Sequence, residues 1–318
     1  MTTKEAIKII QIRHNINTIY AHRVYRDADK SNLVNDVARI IAEKPRPFVK
    51  WVGGKRQLLE QFKRMLLYPP ESFDSHTAKY YEPFVGGGAV FFDLLPEQAL
   101  LSDLNKELVI TYNVIKTDVE KLIIALKKQK VDKEYFLNIR AKDSKKMSDI
   151  AVATRFIYLN RTCFNGLYRV NSKGGFNVPF GKYTNPRICD EENLRKVSKA
   201  LQKVEIKHSD YKIVLKTAKK GDFVYFDPPY FPVSKTASFT SYTSSSFLEK
   251  EQIELRDTFV ALHKRGCFVM LSNSDTAFIK KIYSGIKSVR ISMVAAGRMI
   301  NSDASKRGKV NEVLVTNY

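Results

Sequence analysis

Asp222-Phe223-Val224-Tyr225-Phe226-Asp227-Pro228-Pro229-Tyr230 is the stretch that decides the fold. It follows the turn-forming Lys219-Lys220-Gly221, and its apolar run has the composition of a strand. Two prolines carry no backbone N–H and cannot continue a sheet ladder, so the strand must end there with Asp227 at its carboxyl end. In open α/β sheets ligands bind at that end. The tetrapeptide therefore predicts a site as well as a strand, although in isolation it also reads as a strand closed by a rigid turn.

Working outward toward the N-terminus, Lys79-Tyr80-Tyr81-Glu82-Pro83-Phe84 reads as another strand. It runs into Val85-Gly86-Gly87-Gly88-Ala89-Val90-Phe91-Phe92. Strand, glycine turn and helix open a nucleotide-binding βαβ unit, in which Gly86 and Gly88 let the backbone approach a ligand closely. Phe91 stands where a dinucleotide fold wants its third glycine, so the NAD fingerprint fails. The next strand, Ala99-Leu100-Leu101-Ser102, ends at Asp103. That carboxylate is placed either to accept hydrogen bonds from a ribose diol or to cap the helix predicted from Lys106 to Ile115. Phe48-Val49-Lys50-Trp51-Val52-Gly53-Gly54-Lys55-Arg56 supplies a further glycine turn ahead of a helix from Gln57 to Leu67. Such a turn points bare N–H groups and the positive end of the helix dipole at an anion. It lacks the spacing and final hydroxyl of a P-loop. Trp51, the only tryptophan, belongs in a pocket or core.

Downstream of Tyr230, Phe231-Pro232-Val233 leads into Ser234 to Ser246, rich in Ser and Thr, a candidate lid beside the catalytic strand end. A helix is expected from Leu248 to Lys264 and a strand from Cys267 to Ser272. Val289 to Val294 and Val310 to Thr316 can pair across a basic loop from Gly297 to Lys309. Between the two halves, Asp118 to Lys146 reads as helical and Lys-rich, and Glu191 to Val204 as a helix. The intervening segment from Tyr158 to Gly181 interleaves Arg, Asn and aromatics, with Lys173-Gly174-Gly175 suited to a hairpin tip. Such a ribbon suits groove reading, or is a polar hairpin over an aromatic cluster. Residues 1–44 read as helices, with Ser31 or Asn32 as a possible N-cap and Pro45 and Pro47 ending the region. They form either a packing extension of the main fold or a DNA- or partner-binding arm.

Composition narrows the partners. The 318 residues carry 54 Lys+Arg against 33 Asp+Glu, a net charge of +21, which predicts a polyanion and nucleic acid first. No apolar run reaches the roughly 18 residues of a membrane span, and the first residues show no signal-peptide core. Cys163, Cys189 and Cys267 form no C-x-x-C pair, so neither zinc nor a disulfide framework is expected and a reducing compartment fits.

Together these residues resemble the Dam-type DNA adenine-N6 methyltransferases, which act on GATC. The likeness covers about 48–318 and keeps the family's order. K-W-x-G-G-K falls at Lys50 to Lys55, E-P-F-x-G-x-G at Glu82 to Gly88, the acidic S-D-x-N residue at Asp103, and D-P-P-Y at Asp227 to Tyr230. N-R-x-x-[FY]-N-G-L-x-R-x-N spans Asn160 to Asn171, F-N-V-P-F-G spans Phe176 to Gly181, and Phe239-Thr240 to Phe247 follows the catalytic motif. Thr162-Cys163 and the N-terminal residues depart from the pattern. The resemblance implies an α/β, Rossmann-like class I fold with a seven-stranded, mostly parallel sheet, and S-adenosylmethionine as methyl donor without a metal. Residues 1–45 would be a helical extension, 46–117 and 190–318 the catalytic domain, and 118–189 an inserted helical and β-hairpin recognition domain. It further implies that Trp51, Lys55, Phe84, Gly86, Gly88, Asp103 and Asp227 line the cofactor pocket. Asp227, Pro228 and Tyr230 would receive a flipped adenine, and Lys50, Phe164, Asn165, Leu167, Arg169 and Pro179 would contact double-stranded DNA. A cytoplasmic place on bacterial or phage DNA, with no obligate protein partner, goes with that reading. Two rivals stay open: an amino methyltransferase for cytosine N4, RNA or protein glutamine, and a catalytically silent DNA-binding protein.

Overall fold

A computed structural model describes residues 2–14, 16–51, 53–65, 67–172, 174–233, 247–297 and 309–318. The expected Ser/Thr-rich lid (234–246) and most of the basic loop before Lys309 lie outside the described residues, as does Lys173 of the expected hairpin tip.

Three helices come first, α1 (Thr3–His14), α2 (Thr18–Asp27) and α3 (Leu33–Ala42). Asn32 stands at the N-cap of α3 but makes no side-chain cap; Asp29 caps the 3-10 turn before it, accepting from Ser31 N. Ile7, Ile10, Ile16, Tyr20, Ala21, Val24 and Val37 form a small core of their own, closed by Leu95 of the main fold. Asn17 Nδ2 donates to Asp93 O at 2.6 Å and Arg26 pairs with Glu97, so this region packs as an extension of the fold.

The main fold follows as α4 (Arg56–Arg64), β1 (Tyr80–Glu82), α5 (Ala89–Leu94), β2 (Ala99–Asp103) and α6 (Lys106–Lys127). Next come α7 (Lys133–Ala141), α8 (Asp149–Thr162), α9 (Glu191–Leu201), β3 (Val204–His208), α10 (Ile213–Thr217) and β4 (Phe223–Phe226). The chain ends with α11 (Glu249–Arg265), β5 (Phe268–Ser274), α12 (Ala277–Tyr283), β6 (Arg290–Gly297) and β7 (Lys309–Thr316). Among the described residues seven strands make one sheet in the order β3-β2-β1-β4-β5-β7-β6, and only β7 runs antiparallel to its neighbours.

The period-two geometry of a strand divides the core between the faces of this sheet. Tyr80, Ala99, Leu101, Phe223 and Tyr225 point into one cluster, and Tyr81, Leu100, Val224 and Phe226 into the other. Every residue of β4 is buried, as a central parallel strand covered by helices on both sides requires. The chain runs leftward from β1 to β2 and β3, then re-enters on the other side of β1 as β4. That reversal opens a crevice between the carboxyl ends of β1 and β4.

Two expectations need correction. The helix predicted to reach Val204 stops at Leu201, and Val204–His208 is the edge strand β3. Asn160, Arg161 and Thr162 belong to the last turn of α8 and not to a ribbon. The ribbon begins after them. It is held by isolated bridges, Cys163 to Phe180 and Val170 to Phe176, with no regular strand among its described residues.

Candidate active site

Asp227 follows directly on β4 and opens into the crevice with its side chain 22% exposed. The buried Lys55, in the turn ahead of α4, brings its ammonium 2.8 Å from Asp227 Oδ1. The same Nζ donates to Gly53 O at 2.5 Å and stands 4.8 Å from the centre of the Tyr230 ring. Burial pushes the Asp227 carboxyl up to about 6, with Lys55 drawing it down and Glu312 adding to the rise. Tyr230 is half-buried and its hydroxyl donates to Glu312 Oε2 at 2.6 Å. Pro228 is buried between them.

The turn is gripped by a buried polar network. Gln252 of α11 donates to Pro229 O at 3.0 Å and accepts from Asn273 Nδ2 at 3.0 Å. Phe231 N donates to Asn273 Oδ1 at 3.1 Å, while Ser274 Oγ donates to Phe231 O at 2.7 Å. Gln252, Asn273 and Ser274 are all buried, so each polar atom needs its partner, and losing one would leave another unsatisfied.

At the end of β1 the chain turns through Gly86 (φ +46°) and Gly88 (φ +69°), a backbone region that side chains rarely enter. Space enforces the same choice. A Cβ on Gly86 would come 2.5 Å from Trp51 Nε1, and one on Gly88 would come 2.6 Å from the Tyr112 hydroxyl. Gly88 stands at the N-cap of α5 and has no side chain to cap with. Glu82 does that work from β1: its Oε2 accepts from Phe91 N at 3.0 Å and from the Tyr80 hydroxyl at 2.8 Å. Burial pushes the Glu82 carboxyl up to about 8.

Asp103 is half-buried at the end of β2. It accepts from Gly86 N at 3.1 Å and Asn105 N at 2.9 Å, tying the glycine turn to the neighbouring strand. Burial raises its carboxyl against those bonds. The cap of α6 is Asn105, which accepts from Leu108 N, so the helix-cap alternative for Asp103 falls. Phe84 packs against Tyr211, Phe226 and Phe247 at the rim of the same crevice.

Trp51 stacks on Tyr168 at 6.1 Å and Phe156 at 6.5 Å, and on its other side abuts the glycine turn. Next to it, the buried Asn160 both accepts from Lys50 N and donates to Lys50 O, each at 2.8 Å. It donates as well to Gly166 O at 2.9 Å. Lys50 itself is exposed, its ammonium 4.2 Å from the Tyr183 ring centre. Phe164 is 50% exposed at the tip of a 3-10 turn, and Asn165 beside it has φ +54°. Leu167 packs partly into a satellite core, while Pro179 is exposed and accepts from Phe164 N at 2.9 Å. Arg169 is exposed and donates through Nε and Nη2 to Asn177 O, at 3.2 and 2.8 Å, which orients its guanidinium along the ribbon. Thr162 and Cys163 are fully buried beneath, so this departure from the family pattern changes packing and not the exposed face.

The structure thus brings Lys55, Gly86, Gly88, Asp103, Asp227 and Tyr230 to one crevice, with Trp51 at its wall. Phe164, Asn165, Arg169 and Pro179 lie on a separate exposed ribbon. Sequence reasoning missed Glu312, Gln252, Asn273 and the capping role of Glu82. Glu312 left one signal, the only acid in β7, placed immediately before the apolar run Val313-Leu314-Val315.

The fold is α/β, with Glu82, Asp103 and Asp227 at the carboxyl ends of β1, β2 and β4, the side on which open parallel sheets take ligands. The profile of the D12 class N6 adenine-specific DNA methyltransferases matches residues 51–299. A type II methyltransferase of Lactococcus lactis, M1.LlaDCHI, is 44% identical over 86% of this chain and 95% of its own length. M.MjaIII of Methanocaldococcus jannaschii is also 44% identical, over 86% and 99%. The DNA adenine methylase of Escherichia coli K12 is 34% identical, over 86% and 95%. The chain belongs to the D12 class of N6 adenine-specific DNA methyltransferases. Enzymes of this family use S-adenosylmethionine. The crevice fits that group, because the half-buried Asp103 carboxylate can accept hydrogen bonds besides those from Gly86 N and Asn105 N and Leu104 beside it is 61% exposed.

Proposed function

We propose that this adenine-N6 methyltransferase acts on duplex DNA at GATC and rotates the target adenine out of the helix into the crevice at Asp227. The observation that carries this reading is the Asp227 carboxylate, paired with Lys55 and set beside Tyr230 at the end of β4. GATC rests on the resemblance of Asn160 to Asn171 and Phe176 to Gly181 to the Dam-type recognition segment. Residues 46–117 and 190–318 serve as the catalytic part and 118–189 as the recognition part, a division supported by the non-helical kink at Asp118 inside α6.

The adenine amino lone pair is delocalised into its ring, so the nitrogen is a poor nucleophile. The Asp227 carboxylate and the Pro228 carbonyl accept its two N–H bonds, which favours a pyramidal nitrogen and offsets the positive charge that grows on it. Lys55 keeps Asp227 ionised. Tyr230 stacks on the extruded ring, and the proton leaves after transfer. S-adenosylmethionine, when bound, supplies the electrophilic methyl group. Trp51, Lys55, Phe84, Gly86 and Gly88 line its pocket, Asp103 accepts from the ribose hydroxyls, and Leu104 offers an apolar surface to its base. Extrusion costs a few kcal/mol, and Phe164 or Asn165 fills the gap in the stack while Leu167 and Pro179 shape the ribbon around it. Lys50 neutralises phosphate and Arg169 reads a guanine edge.

The test is an unmethylated plasmid incubated with protein and cofactor, followed by mapping of the modified bases. Methyl-N6-adenine confined to GATC is expected; another adenine context would overturn the site, and modified cytosine the chemistry. Asp227→Ala should lose about 100-fold or more in kcat while remaining folded, because it removes a transition-state acceptor and not core volume.

A further inference from the structure

Tyr230 hydrogen-bonds to a residue 82 positions away, and the geometry of that bond carries a role for its partner. A stacking ring works only if its direction and plane are held. A tyrosine oxygen lies on the ring's own rotation axis, so a hydrogen bond there fixes where the ring points, and the preference of the O–H for the ring plane turns the ring toward the acceptor. Glu312 anchors it at 2.6 Å. Glu312 sits inside β7, paired across to Ser274 of β5 on one side and Val294 of β6 on the other. Ser274, its cross-strand partner, donates to the Phe231 carbonyl immediately after Tyr230. One cross-strand pair therefore holds both the Tyr230 ring and the peptide that follows it. Burial and the nearby Asp227 and Glu312 carboxylates keep the Tyr230 phenol well above its ordinary titration range, so the hydroxyl remains a donor.

We infer that Glu312 is a positioning residue of the target-base pocket: it sets the plane of the Tyr230 ring against the extruded adenine and acts on methyl transfer through that ring. This rests on the reading that Tyr230 stacks on the target base. A rival role is as a bare negative charge facing Asp227, and the two separate experimentally.

The experiment is a double-mutant cycle with Glu312→Ala, Tyr230→Phe and the double variant, read as kcat at saturating cofactor and DNA. A duplex carrying 2-aminopurine at the target position reports stacking through its fluorescence. Each single change should lower kcat about tenfold, the scale of one charge-assisted hydrogen bond, with cofactor Kd held within about twofold. The double variant should be no slower than the slower single, and both singles should brighten the bound 2-aminopurine by loosening the ring. Glu312→Gln, whose amide oxygen still accepts, should keep kcat within about threefold. Should Glu312→Ala not fold, Tyr230→Phe probes the same bond by removing only the hydroxyl, and wild-type kcat there overturns the inference. So do multiplicative losses in the double variant, or a Glu312→Gln protein that loses as much kcat as Glu312→Ala, the mark of a bare charge and not of an acceptor for the Tyr230 hydroxyl. These failures occur in a chain whose wild type methylates adenine; a wild type that methylates no DNA would sink the underlying reading as well.

Discussion

Asp227 shows at the residue scale how burial and one counter-charge set a working pH. Burial raises its carboxyl to about 6 and Lys55 opposes that rise. Above that value the group is an anion that accepts from the amino nitrogen; below it the proton removes an acceptor. The acidic limb of kcat/KM for the free enzyme is therefore expected near pH 6, with activity falling as pH falls. Lys55→Met removes the lowering influence, so its limb should move to higher pH. Rates from about pH 5 to 8 measure this, and an unmoved limb would mean that Lys55 does not set the charge of Asp227. The residues of this scale that are legible in the sequence share one property: Asp103 ends β2, Asp227 follows β4 and Gly86 and Gly88 lie in the turn after β1, so a local pattern marks them. Glu312, Gln252 and Asn273 act through partners brought in from other strands and helices, and no local pattern carries that information.

Among elements, the strands buried on both faces were read with little error, because β2 and β4 are nearly continuous apolar runs between turn signals. The edge strand β3 was not. Glu205, Lys207 and His208 give it a mostly exposed, polar face, and its start at Val204 merges with the apolar spacing of α9. The short helices α10 and α12 were invisible for a related reason, since five and seven residues are too few to establish a helical period. Asn160 was placed on the recognition ribbon because its motif reads continuously into it. In space it is the end of α8, and its amide links the Lys50 backbone to the ribbon turn at Gly166. The Gln252–Asn273–Ser274 grip on the catalytic turn likewise joins α11 to β5, two elements that were each predicted without any sign of their joint role.

On the scale of the whole molecule, the N-terminal helices are a cover attached to the side of the fold behind the glycine turn. Lys44 and Lys63 both meet Asp93 Oδ1 at 3.0 Å and Asn17 Nδ2 meets Oδ2 at 3.4 Å, so truncation removes Lys44 and Asn17 and leaves Lys63. A chain beginning at residue 45 should stay soluble and keep methylating, with a melting temperature lower by about 5–10 °C for the lost packing on Leu95 and the lost ion pairs. Thermal melts and methylation rates of the truncated protein measure this; insolubility or inactivity would make these helices part of the core or of the DNA site. The wall at Trp51 has a consequence of another kind. It is the chain's only tryptophan, and it lies at the seam where the glycine turn meets Tyr168 of the recognition ribbon. The protein therefore has a single tryptophan emitter, at the boundary between the surfaces proposed for cofactor and DNA. Its emission should shift when cofactor alone is added and shift again with cognate duplex, so that one optical signal, without a label, separates the two binding events in time.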